Sequence, residues 1–118
     1  MSTHLREKEE KILRILKCLA EESAKGTPII VEGKKDVETL RNLAVEGKII
    51  AAKTGGKSLL DVIMEVEKTS ANEVILLLDF DRRGKEWTKR LKQQLERARI
   101  KANVTFWLEL LTLARREV

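Results

Sequence analysis

Three carboxylates in this sequence stand where hydrophobic runs end. Glu32 follows Ile29-Ile30-Val31, Asp79 follows the run from Val74 to Leu78, and Asp81 comes two residues later. Short unbroken apolar runs of this kind read as buried strands. If the chain stays extended past Leu78, residues two apart point the same way. Asp79 and Asp81 would then aim into one crevice, and Glu32 would join them if the first and third strands are neighbours. Carboxylates at close range repel one another unless a cation or a proton sits between them. An all-oxygen donor set suits Mg²⁺ or Mn²⁺. A single acid at a strand end is commonly solvated or caps the next helix; three together point to a metal. Asp36 stands where a helix should begin and reads as an N-cap rather than a ligand.

The basic residues are distributed unevenly. Residues 82–101 hold nine Lys and Arg against Glu86 and Glu96, a net +7, so the rest of the chain is −2 within a total of +5. This excess begins directly after the second acidic run, as on phosphate-binding surfaces. Arg82, Arg83 and Lys85 are the nearest candidates for a phosphate, although a solvated helix face would carry the same residues. Thr54-Gly55-Gly56-Lys57-Ser58 is similar to the tail of a P-loop. The full pattern needs glycine at position 51, which is Ala51, so nucleotide hydrolysis of that kind is excluded. A glycine turn before a helix can still receive a phosphate, which makes Lys57 a candidate; an ordinary strand–helix turn explains the loop equally well.

These groups need a scaffold to position them. The periodicity predicts a helix over 3–24, with Leu5, Ile12, Ile15, Leu16 and Leu19 on one face, ended by Gly26-Thr27-Pro28. It then predicts strand 29–31, helix 36–46, strand 48–52, and a helix opened by a Ser58/Asp61 capping box. Strand 74–78, helix 84–99, a strand through Ala102, Val104 and Phe106, and a closing helix over 108–116 complete the order. Alternating strands and helices imply about four parallel strands with helices on both faces. In such sheets ligands bind beyond the carboxyl ends of the strands, where the three acids lie. Residues 1–26 read as an N-terminal helical extension, packed as an extra layer or offered to a second copy or a protein partner, and 27–118 as one domain. Trp87 and Trp107 fall in or beside apolar patterns and read as core or interface residues.

Bulk composition sets the outer limits. A chain of 118 residues with 42% hydrophobic residues can bury a core as one domain. Its 36% charged residues, far above the usual quarter, describe a highly charged surface. One cysteine and one histidine, Cys18 and His4, allow neither an intrachain disulfide nor a zinc site. Cys18 lies among apolar helical positions and is expected to be a buried free thiol. No membrane-length apolar run and no signal-peptide profile is present, so the cytoplasm is the expected compartment.

Val31-Glu32-Gly33-Lys34-Lys35-Asp36 and Leu78-Asp79-Phe80-Asp81-Arg82-Arg83-Gly84 together resemble the two signatures of the Toprim domain: a strand ending in Glu-Gly, and later a strand ending in Asp-x-Asp. The domain is shared by type IA and gyrase-type topoisomerases, bacterial-type primases, and recombination and nuclease proteins. The small size is similar to stand-alone Toprim proteins and to the Toprim domain of the ribonuclease that matures the 5S ribosomal RNA precursor. The resemblance spans about residues 28–107 and implies a Rossmann-like Toprim fold. It implies that Glu32 is a general acid/base or shared metal ligand, and that Asp79 and Asp81 hold Mg²⁺ or Mn²⁺. By the same resemblance, Gly33 and Lys34 lie beside the phosphate of a nucleic acid, Gly33 because it has no Cβ to block the backbone.

The chain has no tyrosine, so it cannot by itself cut DNA through a tyrosyl–phosphate bond. What remains is Mg²⁺-dependent phosphodiester hydrolysis, or a non-catalytic nucleic-acid-binding role in a larger complex. A haloacid-dehalogenase-like phosphatase or receiver domain fits less well, since such phosphatases carry Asp-x-Asp after their first strand and here it follows the third.

Overall fold

The computed structural model describes residues 3–115. In chain order the elements are α1 (Thr3–Ala24), β1 (Ile29–Val31), α2 (Lys34–Asn42), β2 (Ile49–Ala51), α3 (Leu59–Lys68), β3 (Glu73–Leu77), α4 (Arg82–Arg97), β4 (Lys101–Asn103) and α5 (Thr105–Arg115). The strands form one parallel sheet in the order β2-β1-β3-β4. This is the Rossmann-like α/β fold expected of a Toprim domain. β1 and β3 are central and adjacent, with Val31 opposite Leu77. The chain runs from β1 outward to β2 and then returns to place β3 on the other side of β1. Such a reversal opens a crevice at the carboxyl ends of the two central strands.

The central strands β1 and β3 are buried on both faces, which explains their apolar runs, whereas the edge strand β4 exposes Lys101. On one face Ile30, Ile50, Val74 and Leu76 meet Val62, Ile63 and Val66 of α3 and Leu91 and Leu95 of α4. On the other, Ile29, Val31, Ile49 and Ile75 meet Leu19 of α1, Leu40 of α2 and Val45, with Phe106 of α5 alongside. Helix α1 thus contributes Leu19, fully buried, to the second core. Its last turn is fixed by Ser23, whose Oγ accepts the Gly47 N–H at 2.9 Å. A Cβ on Gly47 would sit 2.5 Å from the Ser23 carbonyl oxygen, so glycine is what allows this approach.

Several expected boundaries move, each for a local reason. Helix α2 begins two residues earlier than Asp36, because Asp36 is its third residue and not its N-cap. The Asp36 carboxylate reaches back to accept the Gly33 N–H at 3.0 Å. The same helix ends at Asn42 rather than 46. Ala44 takes a left-handed φ of 66°, and the Val45 N–H closes on the Leu40 carbonyl at 3.0 Å, a Schellman-type stop made without glycine. Strand β4 ends at Asn103, whose side chain accepts the Thr105 N–H at 2.9 Å and turns the chain into α5. Phe106 and Trp107 therefore belong to that helix. Cys18 is exposed, not buried: Ile15 and Leu19 take the inward side of α1. The capping box is present as expected, with Asp61 N–H donating to Ser58 Oγ at 3.2 Å and Ser58 N–H to Asp61 Oδ2 at 2.9 Å.

Candidate metal centre

Glu32 leaves β1 directly after Val31, and Asp79 stands two residues past Leu77, the end of β3. Their register brings the two acids together, and the Asp79 N–H faces Glu32 Oε1 at 3.4 Å. Asp81 follows in extended conformation and is the N-cap of α4, its Oδ1 accepting the Gly84 N–H at 2.7 Å. Glu32, Asp79 and Asp81 each offer a carboxylate oxygen within 4.8 Å of the other two. Around Mg²⁺ neighbouring oxygens lie about 3–4 Å apart, so small side-chain rotations close the set around an ion. The N-cap bond engages Oδ1 of Asp81, and a carboxylate has a second oxygen with which to accept.

Charge crowding is visible in the acids themselves. The Asp79 carboxyl is pushed from an ordinary 3.8 up to about 6. Shielding from water is the largest cause, followed by the hydrogen bond and charge of Glu32 and then the charges of Asp36 and Asp81. A cation at this point would remove the repulsion that raises it. The donor set is therefore one that a hard divalent ion satisfies.

Gly84 builds the site in a way its sequence context does not reveal. A Cβ there would fall 2.0 Å from the Asp79 carbonyl oxygen. Glycine at the first turn of α4 lets the helix rest against the Asp79 backbone while its N–H donates to the capping Asp81. Thr88, one turn on, is buried and donates to the Gly84 carbonyl at 2.8 Å. From the opposite face Trp107 donates its Nε1–H to the Leu78 carbonyl at 2.7 Å. Its ring meets Phe80 edge-on, with centroids 5.6 Å apart. The Asp79 turn is thus held between α4 and α5. A cleft of about 280 Å³ opens beside it, lined among others by Asp36, Thr39, Asp79 and Trp107.

The other expected residues fall into two groups. Arg82, Arg83 and Lys85 are exposed in the first turn of α4, next to Asp81, and Arg82 loosely pairs with Glu86 at 3.8 Å. Lys34 is exposed at the start of α2. Gly33 has an ordinary extended φ of −143°, and a Cβ on it would meet nothing. Lys57 is engaged elsewhere, paired with Glu65 at 2.7 Å and donating to the Ala51 carbonyl at 3.1 Å. Gly55 and Gly56 have φ of 70° and 69°, so the loop needs both for its own turn. The cation that does meet the cluster is Lys53, unmarked by any motif, at 3.3 Å from Glu32 Oε2.

A family model for the Toprim domain matches residues 27–107, most of the chain. This chain belongs to the Toprim family. Within the family the Toprim chain is similar to archaeal UPF0292 proteins. It is 45% identical to one of Methanocaldococcus jannaschii over 95 residues, covering 80% of this chain and 71% of the relative. It is 32% identical to one of Methanosarcina acetivorans, covering 96% of this chain and 76% of the relative. A solved structure of a protein from Aquifex aeolicus superposes with a TM-score of 0.74 at 27% identity, covering 84% of this chain and 87% of that one. Membership implies a metal-dependent, nucleic-acid-related role. No helix among the described residues is long and apolar enough to cross a membrane.

Proposed function

We propose that this Toprim protein is a Mg²⁺-dependent phosphodiesterase acting on nucleic acid. The observation that carries the reading is the convergence of Glu32, Asp79 and Asp81 beside a helix start with three basic residues and no acid in its first turn. Asp79 and the second oxygen of Asp81 would hold Mg²⁺ (or Mn²⁺), with Glu32 sharing it. The ion when bound supplies charge neutralisation and orientation at the phosphate. Glu32 would take or return the proton, a role supported by its position beside the Asp79 N–H. Arg82, Arg83 and Lys85 oppose the positive end of the α4 dipole, an arrangement that a bound anion relieves. Gly33 needs no glycine for its own conformation, which supports a use in letting a phosphate approach the β1–α2 turn beside Lys34.

A second reading, a binding module without catalysis, draws on the exposed basic residues that continue along and past α4: Lys89, Arg90, Lys92, Arg97 and Arg99. The deciding experiment incubates labelled structured RNA, single-stranded DNA and duplex DNA with the protein in Mg²⁺ or Mn²⁺, then in EDTA. Cleavage that EDTA and Glu32→Gln both abolish supports the phosphodiesterase. Cleavage that survives Glu32→Gln refutes this assignment, and salt-sensitive binding without turnover favours the module.

A further inference from the structure

Lys53 reaches the acid cluster by strand register. Beyond β2 the chain keeps tracking β1: the Ala52 N–H donates to the Val31 carbonyl and the Lys53 N–H to the Glu32 carbonyl, both at 2.9 Å. This delivers Lys53 to the same sheet end as Glu32. Its ammonium then lies 3.3 Å from Glu32 Oε2 and 5.3 Å from the centre of the Trp87 ring on α4. Two elements, one supplying a carboxylate and one a ring face, fix a side chain that would otherwise sweep a wide volume. The side chain keeps 28% of its surface exposed, and an ammonium has three N–H donors. Glu32 cannot use them all.

Glu32 is correspondingly committed. Its Oε1 faces the Asp79 N–H and its Oε2 faces Lys53. In the sheet order Lys53 follows β2 on one side of β1, and Asp79 follows β3 on the other; Asp79 and Asp81 complete the acid cluster. A divalent ion there is held by those two and shares Glu32. A second ion on the outer edge of Glu32 would have to sit against the ammonium, where like charges repel strongly. Lys57, the loop lysine that sequence alone would favour for a phosphate, is tied to Glu65. Lys53 is the loop cation that faces the acids.

We propose that Lys53 is the second cation of this site: its ammonium, held between Glu32 and Trp87, binds a non-bridging oxygen of the phosphate brought to the acids, so that one divalent ion suffices. This inference rests on the metal-and-phosphate reading of the cluster and adds the number of ions and the group that replaces the other.

The test is Mn²⁺ titration followed by electron paramagnetic resonance, together with binding of a phosphorothioate DNA strand in Mn²⁺. The wild-type protein is expected to take one Mn²⁺ per chain. Lys53→Met is expected to keep Mn²⁺ binding and its melting temperature, yet lose about tenfold in affinity for the strand, the scale of one charge-assisted hydrogen bond. Lys53→Arg, which keeps the charge, is expected to retain most of that affinity and controls for folding. Two Mn²⁺ in the wild-type protein, or unchanged strand affinity in Lys53→Met, overturns the inference while leaving the metal reading intact. A wild-type protein that binds no Mn²⁺ overturns both.

Discussion

Helices α3 and α4 lie side by side on one face of the sheet, and each starts with a capping serine or aspartate at the end of a strand–helix turn. They obey opposite rules. Helix α3 opens with a reciprocal Ser58/Asp61 box, carries its acid in the first turn and ends on Lys68. Asp61 at its start and Lys68 at its end complement the helix dipole, although Glu67 in the last turn does not. Helix α4 opens on Asp81 but then places Arg82, Arg83 and Lys85 in its first turn, with no acid among them. The neighbouring aspartates differ in the same way. The Ser58 N–H and hydroxyl hold the Asp61 carboxyl below the ordinary range, whereas shielding and neighbouring acids push Asp79 up to about 6. One helix start is arranged for local stability. The other gives up local stability to concentrate opposite charges in one place, which is where a bound ion and a phosphate would restore the balance.

The contrast breaks most sharply at the two aspartates. Asp79→Asn is expected to weaken Mn²⁺ binding by more than about a hundredfold, beyond the usual effect of an outer-shell change, as read by titration. In EDTA near neutral pH the same variant is expected to melt higher than wild type, because it removes a crowded charge. Asp61→Asn should melt lower and bind Mn²⁺ normally. The pH dependence has opposite signs for the two acids. Folded Asp79 holds its proton more tightly than the unfolded chain does, so without metal its contribution to stability falls as pH rises from 3.8 to about 6 and is flat above that. Asp61, with a lowered value, contributes stability that is lost on acidification. Melting curves of wild type, Asp79→Asn and Asp61→Asn in EDTA across this range separate the two; parallel curves for all three would end the comparison.

Gly84→Ala tests the close approach of α4 to the Asp79 carbonyl. Alanine in a helix is normally favourable, but here the overlap with Asp79 is expected to cost about 1–3 kcal/mol in urea unfolding and to weaken metal binding by displacing Asp81. Ser58→Ala should cost about 1 kcal/mol with metal binding untouched, a purely structural loss at the N-terminus of α3. The smallest expected effect is at the surface. Arg83→Glu should raise stability by about 0.3–1 kcal/mol, since it repairs the dipole mismatch, while weakening nucleic-acid binding and reducing its salt slope by about one. If Arg83→Glu destabilises the protein, the basic first turn is a structural feature after all.

The order of elements, the parallel sheet and the meeting of three strand-end acids were legible because each rests on local pattern: apolar runs, helical periodicity, and acids at fixed offsets from strands. What was hidden depends on tertiary register. Lys53 stands two residues past β2 in a segment with no motif, and only the pairing of Lys53 with Glu32 along the sheet reveals its place. Gly84 reads as part of an acidic signature, while its steric necessity lies in the Asp79 backbone. The ends expected at 46 and 99 were misplaced because Ala44 and Arg99 adopt the left-handed φ usually marked by glycine. Asp36 carries the right chemistry for a cap, yet it works from the third position of α2.

The two tryptophans have an optical consequence. Trp87 lies under the Lys53 ammonium, and Trp107 donates to the carbonyl just before Asp79. Both indoles of the chain therefore flank the acidic crevice, one from each side of the sheet. With no tyrosine to contribute, the near-ultraviolet emission of this protein arises beside that crevice. Variants retaining one indole at a time would separate the Glu32–Lys53 edge from the Asp79 edge, without any attached dye.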